Sequence, residues 1–146
     1  MKAKTQIFAE HKFWLVGSLD LQRTATGELF EYFPELPNDV RGNRHAEGPF
    51  CKFGLQPAAP NAEGVYAVVV DDDLKYIGEC VGLAARFGPG GYGSITQRNL
   101  HHDGQTTNCK LNSRILAAAK PGAIALVWFH STTDRKAKPP SRVRAE

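Results

Sequence analysis

The most regular hydrophobic pattern in the chain begins at residue 64. GVYAVVV, residues 64–70, is apolar at every position and rich in β-branched side chains, which predicts a buried strand. LKYIG, residues 74–78, reads as a second, shorter strand. Between them Asp71, Asp72 and Asp73 suit a tight hairpin turn, because Asp tolerates left-handed backbone angles. VGLAAR then favours a short helix. In NCKLNSRILAAAKPG the apolar residues Leu111, Ile115, Leu116 and Ala119 recur at helical spacing, and Pro121-Gly122 stop the helix. AIALVWF reads as a third strand buried on both faces. PPSRVRAE starts a further helix, with Ser141 as N-cap after two prolines.

Upstream the pattern is less regular. KFWLVGSLDL reads as a strand with a turn, and ELFEYFPELPNDVRGN holds an aromatic cluster followed by Pro, Asn, Asp and Gly punctuation. QPAAPNAEG, residues 56–64, is the most linker-like stretch. The expected division is an N-terminal arm, residues 1–58, serving DNA recognition or dimerisation, and a domain over residues 59–146. The expected fold class is α/β (α+β): a small three-stranded sheet flanked by helices, with a β-rich N-terminal arm.

Composition narrows the function classes. At 146 residues, 42% hydrophobic and 23% charged, the chain is long enough for one domain with a real core. No run of eighteen apolar residues predicts a membrane span, and no signal-peptide pattern opens the chain, so a cytoplasmic location is expected. Cys51, Cys80 and Cys109 form no C-x-x-C pair and read as buried free thiols. The net charge of +3 conceals a split: residues 1–85 carry 8 Lys/Arg against 12 Asp/Glu, and residues 86–146 carry 10 against 3. A basic half of this kind is what a phosphate-tracking surface requires. Lys75, Arg98, His101, Lys110, Arg114, Arg135, Lys136 and Lys138 are the candidate DNA contacts.

Three further patterns invite chemistry and lose it on spacing. GPGGYG, residues 88–93, matches G-x-G-x-x-G, but a helix rather than a strand precedes it, so a dinucleotide site is rejected; a mobile loop is the plain reading, with an amide cradle for a phosphate or a loop riding over DNA left open. His101-His102 are adjacent and have no Cys or carboxylate at ligand spacing. The three consecutive aspartates diverge in a turn rather than converge on an ion.

Gly64-Val65-Tyr66 and Tyr76-Ile77-Gly78, with nine residues between the two tyrosines, resemble the two motif strands of the GIY-YIG nuclease family. Arg86 follows Gly78 by eight residues, on the first helix, where that family places its catalytic arginine. Glu146, in a terminal helix after the third strand, corresponds to its metal-binding glutamate. The resemblance covers roughly residues 60–146, including GYGSITQRNLHHDGQTTNCKLNSRI, which looks like the intervening segment of restriction-type or uncharacterised bacterial members. It implies a DNA endonuclease using one divalent ion, Mg²⁺ or Mn²⁺, and leaving 5′-phosphate and 3′-hydroxyl ends. Tyr66 would be the general base, Tyr76 would share the proton or orient water, and Lys75 is the runner-up activator. Arg86 would fork onto a non-bridging oxygen and Glu146 would hold the metal. A phenol near pKa 10 is ionised in about one molecule in a thousand at pH 7, a demand of roughly 4 kcal/mol on its surroundings. The rival expectations are a non-catalytic DNA-binding module with the same fold and a protein-interaction domain; homodimerisation through residues 1–58 is compatible with either. With Glu146 last, the sequence predicts either a chain cut from a longer protein or a weakly held metal.

Overall fold

The structure, a computed structural model, describes residues 4–132. Along the chain run β1 (Thr5–Phe8), β2 (His11–Leu21), β3 (Phe53–Gln56), β4 (Gly64–Val70), β5 (Asp73–Cys80), α1 (Leu83–Arg86), α2 (Gln97–Leu100), α3 (Thr106–Ala119) and β6 (Ala125–Ser131). They belong to two compact units. One contains residues 4–19, 55–84 and 123–132; the other contains residues 20–54 and 85–122.

The first unit is built on a curled antiparallel sheet in the order β1-β2-β6-β4-β5, with β3 paired to β2 off this path. This overturns the expected small three-stranded sheet flanked by helices. The described chain is 38% strand and 17% helix, so sheet rather than helix dominates. The three expected strands are present as β4, β5 and β6, but β1 and β2 continue the same sheet instead of standing apart as an arm. The cause lies in one edge and one face. A three-stranded sheet would leave the outer edge of β6 with unpaired amides and carbonyls. β2 takes that edge, with Trp14 opposite Phe129 and Leu15 opposite Trp128. Phe8, Phe13 and Leu15 then join Val65, Ala67, Val69, Ile77 and Trp128 in one apolar cluster.

The expected turn inside KFWLVGSLDL is instead a bulge between Leu15 and Gly17 in a continuous strand. A side chain at Gly17 would run into the backbone carbonyl of Gln56, so Gly17 serves close strand approach rather than reversal. The hairpin turn between β4 and β5 matches its sequence signature. Asp71 and Asp72 hold φ of 52° and 65°, and Asp73 opens β5 opposite Val70. The linker-like stretch is tied down: the Ala62 carbonyl accepts the Leu83 amide at 2.9 Å, satisfying an otherwise orphaned donor at the start of α1.

The second unit has little strand and is held by side-chain amides. Its apolar centre is Phe50, Ile95, Leu100 and Cys109, flanked by Tyr32, Leu36 and Ala46. Asn112, on α3 and fully buried, accepts from the Cys51 amide at 2.8 Å. It donates to the Cys51 carbonyl at 2.8 Å and to the Tyr92 carbonyl at 2.7 Å. One side chain therefore satisfies three backbone groups from two distant segments. Tyr32 acts similarly, donating its hydroxyl to the Ile95 carbonyl at 2.9 Å and accepting from the Ile95 amide at 2.6 Å. Periodicity does not predict α2. It is a single turn closed by a capping box in which Thr96 and Asn99 satisfy each other's backbone amides. At the far end of α3, the Gly122 amide bonds the Ala119 carbonyl, with Gly122 at φ 101°, consistent with the expected stop.

Candidate active site and nucleic-acid interface

The two motif triplets lie side by side on β4 and β5, with Tyr66 opposite Gly78 and Val68 opposite Tyr76. Side chains of one parity share a face, so Tyr66 and Tyr76 are diagonal neighbours. Their ring centroids are 6.1 Å apart at an interplanar angle of 33°. Each triplet's glycine has a defined steric task. A Cβ on Gly78 would sit 2.5 Å from the Tyr66 hydroxyl and 2.7 Å from its ring carbon, so the phenol occupies the notch that Gly78 leaves. On the other side of β4, a Cβ on Gly64 would strike the His130 carbonyl and the Phe129 ring. The spacing of glycine and tyrosine in both triplets thus follows from ring packing across three neighbouring strands, β5-β4-β6.

Burial separates the two phenols. Tyr66 has 0% exposure, whereas Tyr76 is half-buried. Gly78→Ala is expected to lower stability by about 1–3 kcal/mol through overpacking against an immobile ring. A urea midpoint equal to the parent's would show that the Tyr66 phenol is free to move aside.

Arg86 closes α1, and its guanidinium carbon lies 5.8 Å from the Tyr92 ring centroid, a cation–π contact. The glycine-rich segment after it wraps the end of this helix. The Tyr92 amide bonds the Arg86 carbonyl at 2.8 Å, the Gly88 amide bonds the Ala85 carbonyl at 3.3 Å, and the Gly91 and Gly93 amides both reach the Gly88 carbonyl. Four amides that a phosphate cradle would need are therefore committed to carbonyls. The loop is a helix terminator.

The expected DNA contacts divide by their neighbours. Lys75 lies 3.8 Å from Asp73, and Arg98 forms a 2.9 Å ion pair with Asp103, both at the surface. His101 bridges backbone-to-backbone with Gly42. Lys110 and Arg114 stand four residues apart on α3 and act together on His45. Arg135, Lys136, Lys138 and Glu146 lie outside the described residues. So does the helix expected after Ser141.

Around the two phenols, the register places Gly64, Tyr66, Val68, Tyr76, Gly78, Cys80, Val127, Phe129 and Ser131 on one face, and none of these is a carboxylate. Asp73, opposite Val70 at the hairpin end, is the ion-pair partner of Lys75. Nor does any group of three or more His, Cys, Asp or Glu among the described residues have an arrangement that could hold a metal ion. These residues do not by themselves supply a divalent-cation site. None of the described helices is long and apolar enough to cross a membrane.

The cysteines are free and buried, as the sequence predicts. Burial pushes the Cys51 thiol up to about 12, and the Cys109 thiol is raised for the same reason. Neither is a nucleophile at neutral pH. Cys51 is expected to resist an aromatic disulfide reagent until the protein unfolds; labelling at the rate of an exposed thiol, read by mass spectrometry, would contradict this. Because the folded thiol holds its proton above the unfolded value, its contribution to stability is complete below pH 9 and declines as pH rises towards 12.

Comparison with known proteins adds no relative: no protein-family model, curated protein or solved structure matches this chain.

Two sets of residues escape a reading of the sequence. Asn112 looks there like one more polar position on a helix, and no local signal marks the backbone groups it serves. Arg41, Arg44 and His45, within RGNRH, do carry a visible signal: two arginines and a histidine in five residues.

Proposed function

We propose that this protein is a DNA endonuclease that hydrolyses phosphodiester bonds through the face of the sheet carrying Tyr66 and Tyr76. The observation that carries the reading is the diagonal pairing of these phenols at 6.1 Å, each motif glycine making room for an aromatic ring. Two phenols fixed on one face of adjacent strands gather two proton-transfer groups at one place, which is what activation of an attacking water needs. Tyr76, the more exposed, is the one placed to meet solvent, with Tyr66 held behind it as partner. Arg86 supplies a planar guanidinium able to fork onto a non-bridging phosphate oxygen as negative charge builds there. A divalent cation, Mg²⁺ or Mn²⁺, belongs to this proposal through Glu146, and it would stabilise charge on the phosphate.

The second reading, a DNA-binding module without catalysis, is favoured by the complete burial of Tyr66, since a general base must meet the water it activates. The two separate in one assay. Supercoiled plasmid incubated with the protein and Mg²⁺ is expected to be nicked, with EDTA abolishing the reaction and 5′-phosphate ends recovered. Retarded but intact plasmid, across linear, branched and modified DNA, would leave the binding reading in place.

A further inference from the structure

We propose that the segment Arg41–His45 and the adjoining face of α3 form one binding surface for the phosphate backbone of duplex DNA. The inference deepens the proposed function by assigning a binding surface, and it rests on that reading for the identity of the polyanion.

The surface is assembled by hydrogen bonds that do not themselves use the charges. Segment 41–45 is fastened to residues 99–102. The Asn43 amide donates to the Leu100 carbonyl at 2.7 Å, the Asn43 side chain to the Asn99 carbonyl at 2.8 Å, and the His102 amide to the Arg41 carbonyl at 2.8 Å. Within the turn, the His45 amide donates to the Asn43 side-chain oxygen at 2.8 Å. The same strip of chain runs along α3: Asn43 reaches the Cys109 sulfur at 3.8 Å, and Ser113 donates to the Pro49 carbonyl at 3.2 Å. Cys109 and Ser113 lie one turn apart on the face turned to this strip. Lys110 and Arg114, each one residue further on, therefore flank it from the next row of the helix.

Electrostatics agree with this placement. Partial burial, together with the charges of Arg44, Lys110 and Arg114, disfavours protonation of His45, so all three cations act at one point. Counter-charge is sparse: Glu47 is the only acidic residue between Arg41 and Pro49, and α3 contains none. Elsewhere in this unit Lys120 has Glu31 and Arg98 has Asp103 as ion-pair partners. Arg41, Arg44 and Arg114 are exposed. Like charges gathered on rigid backbone, at the expense of mutual repulsion, are arranged for an external anion. A repeating phosphodiester fits several cations spread along a helix row and a facing strip better than a single small anion does.

The test is equilibrium binding of a fluorescent duplex of about 30 base pairs in EDTA, so that cleavage plays no part, over a salt series. Arg44→Ala combined with Arg114→Ala is expected to weaken binding roughly 10- to 100-fold near 0.1 M salt. The slope of log affinity against log salt should fall by about 0.9 for each phosphate that the variant no longer neutralises. Lys120→Ala, removing a cation already paired with Glu31, is expected to bind like the parent. The double variant should melt no lower than the parent, because it relieves repulsion, so weakened binding cannot come from misfolding. Unchanged affinity and slope in the double variant would overturn the proposal, as would a parent protein that binds no duplex. A parent that binds duplex with this salt dependence but never nicks it removes the nuclease reading and leaves the surface standing.

Discussion

Arg86→Ala is expected to reduce plasmid nicking by about two to three orders of magnitude while leaving duplex affinity in EDTA within a few-fold of the parent. The size follows from the role: removing one preorganised donor to charge that develops only in the transition state typically raises the barrier by about 2.7–4 kcal/mol. The uncleaved strand carries little of that charge, so the two readouts should part. Thermal unfolding of the same variant separates folding from catalysis. The cation–π contact of Arg86 with Tyr92, at the end of a four-residue helix, is worth about 0.5–2 kcal/mol. Arg86→Lys discriminates further. Lysine keeps the positive charge but not the fork, so it should restore stability more fully than rate. Equal loss of nicking and affinity in Arg86→Ala would mean that the arginine holds the DNA backbone rather than taking part in the reaction.

The legible part of this fold is the part whose pattern is local. GVYAVVV announces a strand buried on both faces, and all seven residues of β4 are buried. Asp71-Asp72 announces a left-handed turn, and the helix from Thr106 to Ala119 carries its apolar residues at helical spacing. That Tyr66 and Tyr76 lie on paired strands is likewise legible, but their shared face is not: a regular two-residue turn would set Ala67 opposite Tyr76 and the rings on opposite faces, and the register shift between Val68 and Val69 brings them together. What is not legible depends on partners far along the chain. β2 looks like a strand belonging to an arm until β6 is seen to need a neighbour at its edge, and Trp14 meets Phe129 across 115 residues of sequence. The cations of segment 41–45 and those of α3 are separated by more than sixty residues, and bonds such as those of Asn43 to Asn99 and Cys109, and of Ser113 to Pro49, bring them together. Glycine misleads in the same way. The 88–93 loop has the letters of an anion cradle, but its amides are needed to end α1.

Asn112→Leu is expected to be the most destabilising single substitution in the second unit, at about 3–5 kcal/mol. Leucine keeps the branched four-atom skeleton and leaves no cavity, so the loss combines unmade hydrogen bonds with some crowding by its bulkier methyls. It leaves the Cys51 amide, the Cys51 carbonyl and the Tyr92 carbonyl without partners at a site with 0% exposure. Each buried backbone group left unsatisfied costs about 1–3 kcal/mol, and no surface water reaches a fully buried position without opening the structure. Against a total stability of about 5–15 kcal/mol, a change of this size places much of the population near unfolding at physiological temperature. Asn112→Asp separates donors from acceptor: an ionised carboxylate still accepts from the Cys51 amide but turns an oxygen onto both carbonyls. It should be at least as damaging as leucine at neutral pH and recover partly in acid, where a protonated carboxyl regains one donor. Thermal or urea unfolding of the three proteins decides the matter. A destabilisation under about 1 kcal/mol in Asn112→Leu would show that the segments around Cys51 and Tyr92 are held by their apolar packing alone, with the asparagine incidental to the fold.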